Sequence, residues 1–158
     1  MTKLLLSLHV LAAIVAVGPV TVAASMFPAT LRRALGDSGD ADARATLRML
    51  HRICRVYTGI GIAVPLFGFA TASSLDVLGD TWLITSIPLT AAAAGVLALL
   101  ILPGQDRALT ETTSTASSPP AATPWTPGRL AMATGIFNLL WATVTVLMII
   151  RPGSTTGV

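Results

Sequence analysis

The stretch Leu4–Phe27, LLLSLHVLAAIVAVGPVTVAASMF, decides the fold. It runs 24 residues without Asp, Glu, Lys or Arg, and His9 is its one ionisable side chain. A helix rises about 1.5 Å per residue, so about 20 apolar residues cross a hydrocarbon core about 30 Å thick. Lipid offers the backbone no hydrogen bonds, so such a segment must satisfy its own amides as a helix. Three later stretches, residues 56–75, 82–102 and 130–150, repeat the pattern and also lack all four charged residue types. Each has a polar or helix-breaking boundary. Asp76 and Asp80 flank the second connection, Pro103-Gly104 follows the third stretch, and Arg151-Pro152-Gly153 follows the fourth. The expected fold is all-α, a polytopic membrane protein with four transmembrane helices in an antiparallel bundle.

Composition agrees with that reading. Of 158 residues, 53% are hydrophobic and 11% charged, with a mean hydropathy of +0.77; soluble domains carry about 25% charged residues. No stretch between the spans reaches the roughly 50 residues of an independent domain. That excludes a large extramembrane catalytic unit and leaves residues 1–158 as a single transmembrane domain, with the first span at 4–27. Residues 28–55 are expected to form a basic cytoplasmic loop carrying an amphipathic helix. Residues 103–129 are expected to be a disordered cytoplasmic linker, because LTETTSTASSPPAATPWTP (109–127) is rich in Thr, Ser, Ala and Pro and has little to bury. Trp125 in that segment suits the membrane interface.

Charge sets the orientation. Eight of the ten basic residues, Arg32, Arg33, Arg44, Arg48, Arg52, Arg55, Arg107 and Arg129, flank the first and third connections, while Lys3 and Arg151 lie on the other side. The positive-inside rule then places those connections in the cytoplasm and both termini outside. A competing reading takes residues 1–24 as a signal peptide cleaved after Val22-Ala23-Ala24. It would leave three spans, put six arginines outside, and require an apolar run far longer than a signal peptide uses. A mature N-terminus at Ser25, found by mass spectrometry, would support it. The net charge of +3 and pI near 10.0 fit anionic lipid headgroups rather than nucleic acid, since six of the basic residues lie in one segment beside the bilayer. The lone Cys54 cannot form an internal disulfide.

Within the basic loop, Asp42–Tyr57 (DARATLRMLHRICRVY) places Arg44, Arg48, His51 and Arg55 at spacings of 4, 3 and 4, with Arg52 beside them. Leu47, Leu50, Cys54 and Tyr57 fall on another face. Ser38, Asp40 and Asp42 are the candidate N-caps of this amphipathic helix. The stripe of Arg44, Arg48, Arg52 and Arg55 is read as facing lipid headgroups, where each charge gains about 1 kcal/mol near an anionic surface.

A charge at mid-bilayer costs several kcal/mol, so an intramembrane ionisable residue is a functional candidate by default. His9 lies five residues inside the first span, about 7 Å deep, and Ala12, Ala13, Ala16 and Ala23 on its side of the helix point it toward the bundle. Counting inward from the same end of the other spans puts Thr71, Ser86 and Thr145 at its depth, as three hydroxyl partners in one polar layer. Two roles are open to His9: a hydrogen-bonded residue that fixes helix register, or a contact to metal, haem or quinone. His51 sits at the opposite end of the bundle and cannot share a ligand with it. Met148 lies near the same depth as His9, so a His9 and Met148 pair is the candidate haem or copper ligand set. Gly61, Pro65, Gly68 and Ala72 in the second span and Thr134, Asn138, Trp141 and Thr145 in the fourth read as interhelical packing and hydrogen-bonding faces.

Three segments carry a resemblance: KLLLSLHVLAAIVAVGP at the start, LHRICRVYTGIGIAVPLFG entering the second span, and GIFNLLWATVTVLMIIRPG at the end. Together they resemble an uncharacterised family of small bacterial four-span membrane proteins, described as a domain of unknown function. That family is distantly similar to CopD-like and HemJ-like membrane domains, which carry a histidine in an early span. The resemblance implies a multi-pass protein of the bacterial cytoplasmic membrane, with His9 as the matching residue and Gly18 as a weaker match. Nucleophile arrangements, phosphate loops, zinc spacings and paired carboxylates are missing from the sequence. The leading expectation is therefore a non-enzymatic accessory, assembly or structural membrane component, with a homo-oligomer or another membrane protein as its partner. The alternatives are a haem-, copper- or quinone-linked protein using His9, and a small-molecule permease through a bundle kinked at Pro19, Pro65 and Pro88.

Overall fold

The computed structural model describes residues 2–37, 39–113 and 125–152. Every regular element among them is helical: α1 (Thr2–Gly36), α2 (Ala41–Ile60), α3 (Ala63–Ser74), α4 (Thr81–Gly95), a π-helical segment (Val96–Ile101), α5 (Leu102–Thr113) and α6 (Pro127–Ile150). Four continuous rods long and apolar enough to cross a membrane result: α1, α2 with α3, α4 through α5, and α6. Their outward faces are apolar, with Leu99 73%, Ile149 72% and Leu139 70% exposed. Side chains of that kind left bare over all four rods require lipid rather than water as solvent.

Three rods are longer than a bilayer. The 35 residues of α1 extend about 52 Å against a core of about 30 Å, so the basic end projects beyond it. There the segment expected as a loop at 28–55 is mostly helix. α1 continues to Gly36, and α2 begins at Ala41, capped by Asp40, whose carboxylate accepts from Ala43 N at 2.8 Å. Of the other cap candidates, Ser38 lies outside the described residues and Asp42 falls within the first turn.

The linker expected at 103–129 is likewise helical up to Thr113; residues 114–124 lie outside the described residues. Pro103 does not end the third span. It sits in the first turn of α5, straight after the π segment, where Leu102 N bonds Leu97 O across a wider turn. A missing N–H and a fixed φ cost least at such a junction. Burial drives the continuation: Gly104, Gln105 and Ala108 are buried in α5, and Leu31, Leu47, Leu50, Cys54, Ile101 and Ala108 belong to one apolar cluster with Phe27, Leu130 and Phe137. Trp125 does not simply float at the interface, because its ring packs over Gly104 in the space a Cβ would take.

The second span is broken once. Around Gly61-Ile62 the ladder tightens, with Val64 N bonding Gly61 O at 3.1 Å, and helix resumes as α3. Pro65 supplies the reason, since it has no N–H for the Gly61 carbonyl and its ring crowds that turn. Pro19 and Pro28 in α1 and Pro88 in α4 lie within uninterrupted helix.

The two ends of the bundle differ. At the basic end α1, α2, the π segment, α5 and α6 share the large buried cluster. At the end carrying the chain termini, α3 packs mainly on α1 and α4 on α6, and α3 meets α4 and α6 at few positions. Ala72, Trp82 and Leu83, with Val77 and Met148, form only a small apolar group there.

Candidate functional site

Between those loosely joined pairs lies a cavity of about 1000 Å³, walled by α1 from Leu6 to Gly18, α3 from Val64 to Leu75, α4 from Trp82 to Ala94 and α6 from Trp141 to Ile149. His9, Thr71, Ser86, Thr145 and Met148, singled out in sequence, all line it, as does Gly18. Small side chains make the space: Ala13 on α1, Gly68 and Ala72 on α3, Ala91 and Ala94 on α4. A volume of this size is at the upper end of small-molecule sites, which run about 300–1,000 Å³.

His9 is held by backbone. Its Nδ1 lies 2.9 Å from the carbonyl oxygen of Val64. A carbonyl only accepts, so Nδ1 carries a proton, and in the neutral imidazole Nε2 is the acceptor. No described residue bonds Nε2. Gly68 makes this possible: a Cβ there would stand 3.0 Å from His9 Cε1 and 3.2 Å from Nδ1. The small-residue stripe of the second span is thus a seat for an imidazole.

The expected hydroxyl layer does not bond His9. Thr71 Oγ1 donates to Phe67 O at 2.7 Å, Ser86 Oγ to Trp82 O at 2.7 Å, and Thr145 Oγ1 to Trp141 O at 2.8 Å. Each hydroxyl has one proton, and in an apolar span the carbonyl one turn back is always within reach. Thr71 and Ser86 are buried whereas Thr145 is exposed, and all three line the cavity with their protons committed to their own helices.

At the outer rim of the cavity Arg151 ends α6 in the left-handed region at φ 46°. Its guanidinium carbon lies 5.3 Å from the Trp82 ring centroid and its Nε donates to Met148 O at 3.3 Å. The indole of Trp82 in turn donates to Asp80 Oδ2 at 2.9 Å. Among the described residues no carboxylate pairs with Arg151, and it is the one formally charged residue lining the cavity.

Two further polar groupings lie in the basic half. Asn138 Nδ2 donates to Ser25 Oγ at 3.2 Å and Thr134 Oγ1 to Ala24 O at 3.4 Å, so the polar face of α6 does bond across to α1. Asn138 Oδ1 is buried without a partner, beside a cleft of about 220 Å³ that Arg32 also lines. The second grouping corrects the arginine face. His51 turns inward: its Nδ1 is 3.1 Å from Gln105 Oε1, and Gln105 Nε2 donates to Cys54 Sγ at 3.6 Å. Asp106 Oδ1 lies 3.8 Å from His51 Nε2. Arg48, Arg52 and Arg55 remain exposed and Arg44 is half-buried.

Sequence reading missed the Val64 carbonyl, the Gly68 seat, Ser25, Gln105 and the Trp82–Arg151 rim. A lone amide such as Gln105 just past an apolar run was a usable signal; a backbone acceptor such as Val64 O has none. Three or more His, Cys, Asp or Glu side chains gathered as for a metal ion do not occur among the described residues.

A family model, described as predicted integral membrane protein (DUF2269), matches residues 3–152. No curated protein and no solved structure matches.

Proposed function

The chain belongs to the DUF2269 family of predicted integral membrane proteins, and on that premise we propose that it is a non-enzymatic membrane component that holds a membrane-dissolved apolar ligand in the cavity beside His9. The observation that carries this is the anchored imidazole. With Nδ1–H committed to Val64 O, Nε2 is an electron-pair donor on the wall of an apolar space, so the ligand group that meets it carries a proton to donate. A hydroxyl meets that requirement and a bare ketone does not, which narrows the quinone alternative to the reduced quinol form. The distribution of arginine supports a bacterial cytoplasmic membrane setting with both termini outside, and the exposed Arg48, Arg52 and Arg55 with Arg44 support contact with anionic headgroups.

A second reading has its own support. A histidine whose Nδ1–H bonds a backbone carbonyl is oriented as metal-ligating histidines are, and Met148 lines the same cavity. His9 and Met148 are the side chains that would hold a haem or copper ion there, and they fall short of the three or four protein ligands of a structural metal site. A haem or copper ion held there would supply one-electron chemistry.

One experiment tests both. Protein purified in mild detergent is analysed by absorbance, elemental metal content and mass spectrometry of extracted small molecules, wild type beside His9→Ala. One lost hydrogen bond of about 1 kcal/mol lowers occupancy about fivefold. An apolar hydroxyl compound reduced by that factor in the variant supports the ligand reading. A Soret band or stoichiometric copper lost in the variant supports the second. Identical contents in the two proteins overturn both.

A further inference from the structure

We propose that the ligand of this cavity is a single-chain anionic amphiphile, a long-chain hydroxycarboxylate whose carboxylate head rests on Arg151, whose chain hydroxyl meets His9 Nε2 and whose tail fills the remaining space; this rests on the cavity reading above. Dimensions point first to a chain. From Arg151 to Trp141 on α6 the wall is about 15 Å deep, and from Leu6 to Gly18 on α1 about 18 Å. One leaflet of a hydrocarbon core about 30 Å thick has the same depth. A molecule with its head at the interface and one extended apolar tail matches that length.

Charge points next to an anion. Arg151 is half-buried at the cavity rim, stacked on Trp82, and held by the Met148 carbonyl. Asp80, the nearest acidic residue in sequence to Trp82, is engaged by the Trp82 indole rather than by the guanidinium. A partly desolvated cation without a carboxylate partner among the described residues gains most from an anion that arrives with the ligand. Arg151 takes a left-handed turn, φ 46°, and its guanidinium lies over Trp82 on the cavity lining.

The test uses full-length protein in nanodiscs of zwitterionic lipid, titrated with a bromine-labelled long-chain hydroxycarboxylate and with its methyl ester, above the pKa of the acid. Bromine quenches nearby indoles, and Trp82 and Trp141 both line the cavity. The expected result is quenching by the acid at about tenfold lower concentration than by the ester, the factor of one charge-assisted hydrogen bond. Arg151→Gln should remove that preference and leave ester binding, whereas Arg151→Lys should keep it. Ala13→Phe, which puts a ring into the cavity, should weaken quenching by both. Equal binding of acid and ester in wild type, weakened in Ala13→Phe, overturns the anionic head and leaves the cavity reading standing. Quenching that Ala13→Phe does not change is bilayer partitioning and overturns both. Displacement of the acid by a two-chain anionic phospholipid added to the nanodisc overturns the single-chain assignment.

Discussion

At Gly68 a side chain would begin 3.0 Å from His9 Cε1, so glycine here and histidine there are one structural unit. Gly68→Val should push the imidazole off the Val64 carbonyl and cost about 1–3 kcal/mol of stability, the usual range for overpacking. Chemical denaturation in detergent measures it, and an unchanged midpoint would show that the imidazole has another seat. Asn138 behaves in the opposite sense. Its Oδ1 is buried and unpaired, so replacing the amide by a hydrocarbon of similar size removes a desolvation penalty along with the bond to Ser25. Asn138→Leu is therefore expected to be neutral or stabilising; a loss above about 1 kcal/mol would mean that Oδ1 is satisfied in the membrane. His9 was legible in the sequence as the one ionisable residue of its span. Its partner was not, because every residue has a carbonyl and only packing selects which one faces the ring.

The helices themselves divide into those that periodicity reveals and those that packing extends. The amphipathic stretch Asp42–Tyr57 became α2 with Leu47, Leu50 and Cys54 buried, because an apolar stripe at helical spacing has one way to be covered. α5 was hidden. Its sequence, LPGQDRALTETT, opens with a helix breaker and has few apolar residues, yet Gln105 is 1% exposed and bonds both His51 and Cys54. That buried amide links α5 to α2, beside the more exposed approach of Asp106 to His51. Gln105→Ala leaves His51 Nδ1 and Cys54 Sγ without the amide they contact and should cost about 1–3 kcal/mol, read as a lower melting temperature in detergent. Cys54 is fully buried in the same contact, so a maleimide should label it only after unfolding; rapid labelling of the native protein would show that α5 swings away from α2. Gly104→Ala would place a methyl 2.7 Å from Trp125 Cε3 and 2.8 Å from Leu130 Cδ2, and should shift the indole emission as the ring is displaced.

For the molecule as a whole, orientation is the property that charge controls. Reporter fusions at the C-terminus and in the first connection should give opposite signals, with the C-terminus outside; the reverse result would overturn the placement of the Arg48, Arg52 and Arg55 face at the cytoplasmic leaflet. Sequence by itself determined that four segments span a bilayer, which end is basic, and that His9 is singular. The reason is that lipid acts on each span independently: length and apolarity suffice, and no partner helix is needed to state the requirement. Tertiary structure alone decided that one half of the bundle shares a large buried cluster while the other holds a half-open cavity, that the hydroxyls of Thr71, Ser86 and Thr145 turn to their own helices, and that Arg151 lies at the cavity rim beside Trp82. Those outcomes depend on which rods lean together, α3 on α1 and α4 on α6. Between helices that are all apolar outside, that choice rests on close contacts of small residues such as Gly68 and on single hydrogen bonds, whose partners lie far apart in the chain.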